Sequence, residues 1–425
     1  MNLQLHDIPA TWAILHIYIY FFLPLIFVAY LTLVRSYRYA RRDVIEAKFK
    51  SGGRELSTMT GKEAFEILTQ LQELEFPYAF AKARQMALLK AGGIPSMSKL
   101  FAVTGQNNRR NAGRRAVDTE ILLRESQTMP RDSERYAMAV SRVNYLLRHE
   151  RYRRAGKITD PDLLHTLGDG LAEILTVIER DEWRKLTDVE KCALGVFHKN
   201  LGEDLDIPFD LLSSSEEGWR DGVHFAMDLR DWTIKYEETV AVPNDPSVQY
   251  VHSYVDSAFL SMPKWVGATM RKTLGADLDD TMRSSLGLEA PGPLQSLLIR
   301  TVRNLRILYL RHLSLPRHTA VKALSVSPNP KTGKYNFERK GLQPWYMEST
   351  LRSSWGPSAL LIRAAGGKVP GSQGDRYYPQ GYDLMTIGPE PQKGKGIDEM
   401  KAGIEAIRAR GVATCPFSIA KLEGI

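Results

Sequence analysis

Imidazole is the side chain best suited to catalysis near neutral pH, to metal ligation and to holding haem iron. The chain has nine histidines, and three of them, His149, His165 and His198, fall on successive helical segments. Histidines facing one another across a helical bundle could hold an iron centre. Arg142 lies seven residues before His149, with Tyr145 between them, so all three share one helix face. His165 sits inside the apolar run of GKITDPDLLHTLGDGL, residues 156–171. A hydrogen-bonded core residue, a catalytic base and a metal ligand are all open readings there, and the first is the ordinary fate of a lone helical histidine. The other histidines suggest no site. His6 and His16 belong to the leading segment, and His312 and His318 lie among arginines at a helix end, where cations suit the dipole. No glycine-rich dinucleotide fingerprint, P-loop, HExxH, GxSxG or CxxC pattern is present.

The elements that must position these groups read as helices. Thr60 with Glu63, and Thr187 with Glu190, are capping boxes. Pro77 splits 60–92 into two helices, and Gly92–Gly93 end the second. Two more helices are expected in 117–154. Asp160 is expected to cap the helix that carries His165, with Pro161 in its first position. Others are expected at 216–239, 247–286 and 294–313, and a last one carries Ile397, Met400, Ile404 and Ile407 on one stripe. Alternating strand patterns are scarce, so the class is mainly α. The basic loop 103–115 has no interleaved aromatic residues, so nucleic acid is not an expected partner. The tryptophans Trp183, Trp219, Trp232, Trp345 and Trp355 read as core packing or as the wall of an apolar pocket.

Residues 12–34, WAILHIYIYFFLPLIFVAYLTLV, contain no Asp, Glu, Lys or Arg. A run of about 20 apolar residues is what a membrane-crossing helix needs. Arg35, Arg38, Arg41 and Arg42 follow the run instead of preceding it, which marks a retained anchor rather than a cleaved signal. The same cluster predicts a cytosolic main domain and a lumenal N-terminus. Two cysteines, Cys192 and Cys415, fit a reducing compartment. The expected organisation is a short lumenal segment (1–11), a transmembrane helix (12–34), a basic juxtamembrane segment (35–58), a helical catalytic domain (59–315) and a loop-rich extension with a final helix (316–425).

Five stretches carry a family resemblance: LEFPYAF (74–80), HERYRRAGKITDPDLLHTL (149–167), EWRKLTDVEKCALGVFHKNLGEDLDI (182–207), YYPQGYD (377–383) and CPF (415–417). With the leading anchor, their order resembles the MpaB family of fungal ER-bound oxygenases, which is related to the bacterial rubber oxygenases. The resemblance implies a single-pass ER-membrane oxygenase with a helical-bundle domain on the cytosolic side. Dioxygen would be co-substrate. The substrate would be a lipophilic prenylated or polyketide–terpenoid intermediate of secondary metabolism, cleaved at a C=C bond. Rubber oxygenases do this with haem b, so haem b or iron is the implied cofactor. His149 matches a histidine of the family pattern, and Arg142 is the group beside it that would face dioxygen or a propionate. The bacterial axial histidine falls near Gly168 or Asp169 of this chain, so His165 would be a displaced ligand or stand in for a tyrosine. His198, the third candidate ligand, stands where the relatives have a tryptophan. The competing reading is a membrane-tethered helical protein that binds lipid without chemistry.

Overall fold

The computed structural model describes residues 18–50, 53–105, 111–148, 158–258, 264–338, 343–412 and 414–417. Among them there is no β-strand, only two isolated bridges, Leu324 with Phe337 and Tyr335 with Tyr382. The mainly-α expectation therefore holds.

The chain enters through a π-helical turn, Tyr18–Phe22, into α1, Leu23–Lys50. From Tyr20 to Phe49 it forms one helix long and apolar enough to cross a membrane. Leu23, Leu25, Ile26 and Phe27 are exposed, whereas Val34, Ile45 and Phe49 are buried. One continuous helix is thus bare along its first half and packed into the body along its second. The expected break at residue 34 is a change of environment, not of structure.

Two capping boxes start α2 (Gly61–Gln70) and α8 (Asp188–Asp204) at Thr60/Glu63 and Thr187/Glu190, as their sequences predict. A π-helical turn, Leu71–Glu75, leads to α3 (Pro77–Lys90), which Pro77 opens. Then come α4 (Pro95–Val103), α5 (Ala112–Thr128) and α6 (Glu134–Arg148). The long central helix α7 spans Asp160–Asp181. Its N-cap is Thr159, boxed with Asp162, one residue before the expected Asp160. The Thr159 hydroxyl receives the Asp162 N–H while the Asp162 carboxylate receives the Thr159 N–H, and this reciprocity outweighs a lone aspartate cap.

Asp221 caps α9 (Gly222–Val240). The expected 247–286 helix is three: α10 (Asp245–Ala258), α11 (Lys264–Gly275) and α12 (Asp280–Ser285). Next come α13 (Pro293–Leu308), prolonged by a π-helical turn Tyr309–Leu313, the short α14 (Leu351–Trp355) and α15 (Pro357–Ala364), and the final α16 (Ile397–Arg410).

The core is a bundle in which α7 packs on α3 and α9, and α8 packs on α9 and α2. Leu164, Leu171, Ile178, Leu194, Phe225 and Leu229 fill it. The α8–α9 crossing depends on missing side chains. A methyl group on Gly195 would overlap the carbonyl of Gly222, and one on Gly222 would overlap the carbonyl of Cys192. The extension beyond Pro316 lies over α5 and α6, where Phe337, Tyr346, Tyr382 and Ile387 meet Val117, Ile121 and Ala139.

Candidate active site

Four charged residues and one imidazole meet in the bundle interior. His165, Asp169 and Glu173 stand four residues apart on α7, so they rise along one face. Glu237 reaches them from α9, and Lys90 from the last turn of α3. All five are buried. The Lys90 ammonium lies 2.7 Å from Glu237, 3.0 Å from Glu173 and 3.4 Å from Asp169. His165 Nε2 is 2.9 Å from Glu237 Oε1. One donor atom from each of His165, Asp169 and Glu237 lies within 4.8 Å of the others, which is metal-site spacing.

The protonation pattern follows from burial and charge. Burial opposes the charge on Lys90, but Asp169, Glu173 and Glu237 outweigh it and push the ammonium well above its ordinary range. Burial pushes Asp169 well above the carboxylate range, against the pull of Lys90. Glu237 is also desolvated, yet hydrogen bonding from His165 and the charge of Lys90 hold it below the usual value. A carboxylate can only accept, so His165 donates from Nε2 to Glu237. His165 Nδ1 has no hydrogen-bond partner, whereas Asp169 Oδ1 is ion-paired with the Lys90 ammonium at 3.4 Å. Buried polar atoms are nearly always paired, and the unpartnered imidazole nitrogen beside two carboxylates is an arrangement that could accept a metal ion. A metal-binding histidine characteristically donates its other N–H to a carboxylate, as His165 does to Glu237.

These donors suit an iron ion bound directly by imidazole and carboxylate. A macrocycle beside His165 would have to part α7 from α9. Their seam is closed so tightly that a methyl on Gly168 would overlap Thr233 Oγ1. The His165 ring also packs on Tyr236 at 5.5 Å, and the Tyr236 hydroxyl donates to Asp162.

The other sequence candidates lie apart from this cluster. His149 falls outside the described residues. His198 is buried on α8 and donates from Nδ1 to the Leu194 carbonyl at 2.8 Å; burial pushes it down to about 4. It lines a cavity of about 10 Å³ with Leu68, Phe80 and Ile174, room for one water and not for a porphyrin. Arg142 is fully buried and donates to the carbonyls of Ile387 at 2.8 Å and Gln392 at 3.1 Å. Those bonds clamp the C-terminal extension to α6. Arg184 forms a two-pronged pair with Glu190, 2.7 Å on each arm, a structural role at the entrance to α8. Sequence reasoning missed Lys90, Asp169, Glu173 and Glu237. The available signal was the spacing His165, Asp169, Glu173 within an otherwise apolar helix face.

Relatives now bear on this geometry. No family model matches the chain. It is 32% identical to the ER-bound oxygenase mpaB' of Penicillium brevicompactum over 393 residues, 92% of each chain. The chain belongs to the mpaB oxygenase family. The ER-bound oxygenase mpaB of the same fungus is 33% identical over 379 residues, 88% of each chain. The mpaB of Penicillium roqueforti is 34% identical over 261 residues, 61% of this chain and 87% of that protein. The family resemblance read from the five stretches is therefore sound, and the chain groups with oxygenases.

Proposed function

We propose that this chain is an iron-dependent, ER-anchored oxygenase that cleaves a C=C bond of a lipophilic intermediate in secondary metabolism. The unpartnered His165 Nδ1 and the clustering of His165 with Asp169 and Glu237 carry the iron part of this reading, and the names of the relatives carry the oxygenase part. The bare N-terminal helix and the arginines after it support the anchor and a cytosolic body.

In this reading His165 and Asp169 hold the metal, with Glu237 fixing the imidazole tautomer and orientation. Bound iron supplies the activation of dioxygen. A metal held there would need Asp169 in its charged form, so the raised pKa of this carboxyl would make loading pH-dependent. Lys90 holds Glu173 and Glu237 in place and offsets their charge, while the closed bundle keeps bulk water from the reacting atoms. Cleavage needs no further oxidant: the alkene loses its double bond, each carbon takes one oxygen atom of O2, and two carbonyls result. The substrate is a prenylated compound that partitions into the bilayer beside the enzyme.

The test is metal analysis and absorption spectroscopy on the detergent-solubilised full chain, with 18O2 turnover of a prenylated phenol. The expected result is about one iron per chain, no Soret band, and label in both carbonyl products. His165→Ala and Asp169→Asn should each lose the iron while keeping the helical circular dichroism. A Soret band would move the centre to a haem. An iron-free protein that consumes no oxygen but binds lipid would support the non-enzymatic alternative.

A further inference from the structure

Helix α13 is built the wrong way round for a water-soluble surface. Its inward face is polar: Arg303 pairs with Asp277 at 2.7 Å and Asp181 at 2.9 Å, and Arg306 pairs with Glu182 at 2.8 Å. In the turn that follows, Arg311 donates to the Trp183 carbonyl at 2.7 Å. The opposite face carries Leu294, Leu297, Leu298, Leu305, Leu308 and Tyr309, all exposed, with Leu294 80% and Leu298 62% accessible. No residue of α13 is buried. Spacing of three, four and seven places these side chains on one stripe. Arg300 lies at its edge. Such a contiguous apolar face marks a partner or a membrane.

The anchor says which. Tyr30 on α1 donates its hydroxyl to the Leu313 carbonyl at 2.8 Å, at the end of the π-helical turn after α13. Arg38, two turns further on, reaches the Leu315 carbonyl at 3.5 Å. Tyr30 lies four residues inside the C-terminal end of the apolar run 12–34. At the helical rise, that is about 6 Å inside the hydrocarbon edge. In-plane amphipathic helices sit about 5–10 Å into the same boundary. When α1 spans a bilayer, the end of α13 is therefore held at interfacial depth with its leucines unpartnered. At the other end, Gln295 donates to Thr273 on α11, whose exposed Trp265 adds an aromatic group of the kind that favours the interface.

We propose that α13 is a second membrane contact: an interfacial helix whose leucine face lies in the leaflet on the body's side of the membrane, while its arginine face is locked to the catalytic bundle. This goes beyond the oxygenase reading and does not need it; it needs only that α1 spans a bilayer. The partner is a lipid surface, and the exposed Arg300 and Arg35 suit anionic headgroups.

The test uses the full chain reconstituted in phosphatidylcholine–phosphatidylserine vesicles, with single spin labels on cysteines introduced as Leu298→Cys and Leu305→Cys. Phe27→Cys serves as anchor reference and Asp231→Cys as aqueous reference. The native cysteines, Cys192 and Cys415, are both buried. Labels at 298 and 305 should be relaxed by oxygen and shielded from a water-soluble nickel chelate, as the label at 27 should be. If 27 is shielded while 298 and 305 behave like 231, the α13 proposal fails and the anchor stands. If 27 also behaves like 231, the anchor fails and takes the proposal with it. Shielding of 298 and 305 that persists in detergent micelles, with spin–spin broadening between labels, would instead identify a second copy of the chain as the occupant and overturn the lipid assignment.

Discussion

Replacing Lys90 with methionine tests whether the buried cluster is a metal site or only a salt bridge. The ammonium faces the carboxylates of Glu237 and Glu173 at 2.7 and 3.0 Å, with Asp169, whose pKa burial raises, beside them at 3.4 Å. At an effective dielectric constant of about 20, each charged pair attracts by roughly 5–6 kcal/mol. Most of that is offset by the desolvation of the groups, and removing one partner of a buried pair costs about 3–5 kcal/mol net. Methionine keeps most of the side-chain volume, so packing loss adds little. The metal-free variant should melt roughly 5–10 °C below the wild type, at about 2 °C per kcal/mol in a body of this size. Its carboxylates are then free of the ammonium that bridges them. Anaerobic iron(II) at 100 times its dissociation constant should return about 2.7 kcal/mol, and magnesium, which prefers an all-oxygen octahedral shell, should return much less. The assay is thermal unfolding of the full chain in detergent, with and without metal. Equal melting of variant and wild type would refute the charge argument. A large loss with no recovery on iron would refute the metal argument and leave a structural salt bridge.

Three further outcomes are expected. His198 is held down to about 4 in the folded chain against an ordinary 6.5, so the unfolded state takes up the proton first as pH falls. Folded stability is unaffected above 6.5 and drops by up to about 3 kcal/mol on the way to pH 4. A His198→Gln variant should lose this contribution, and urea titrations at pH 7.5 and 4.5 that show parallel acid sensitivity would contradict it. Arg142→Met should cost about 3 kcal/mol through unpaired carbonyls at Ile387 and Gln392. Limited proteolysis should then cut near 386–396 before the bundle unfolds, and unchanged resistance would exclude the clamp. Gly195→Ala should yield no folded chain by size-exclusion chromatography, because its methyl meets the backbone of Gly222. Gly170→Ala, which meets nothing, should fold and gain up to about 1 kcal/mol of helix propensity.

What could be read in advance was local. The capping boxes at Thr60 and Thr187, the break at Pro77 and the bounds of α13 follow from backbone chemistry within a few residues. The end of α11 at Gly275 was hidden because the apolar spacing of 247–286 runs on past it into α12. The candidate site was hidden for another reason. Lys90, His165 and Glu237 lie on three helices, and only packing shows that charges from all three converge without solvent. His198 and Arg142 illustrate the converse: their residue types invite chemistry, yet the bonds they make here run to backbone carbonyls of Leu194, Ile387 and Gln392.

Arg38 stacks 4.3 Å over the buried indole of Trp183, and Tyr39 meets the same ring edge-on at 5.3 Å. These residues sit only four and five positions beyond the last apolar residue of the run 12–34. The tether is therefore also a wall of the building it holds. With α1 across a bilayer, as proposed, the body would not swing as on a leash; its tilt would be set when α1 seats against Trp183. A fragment started after that seat would leave the indole, and the hydrophobic floor around it, open to water.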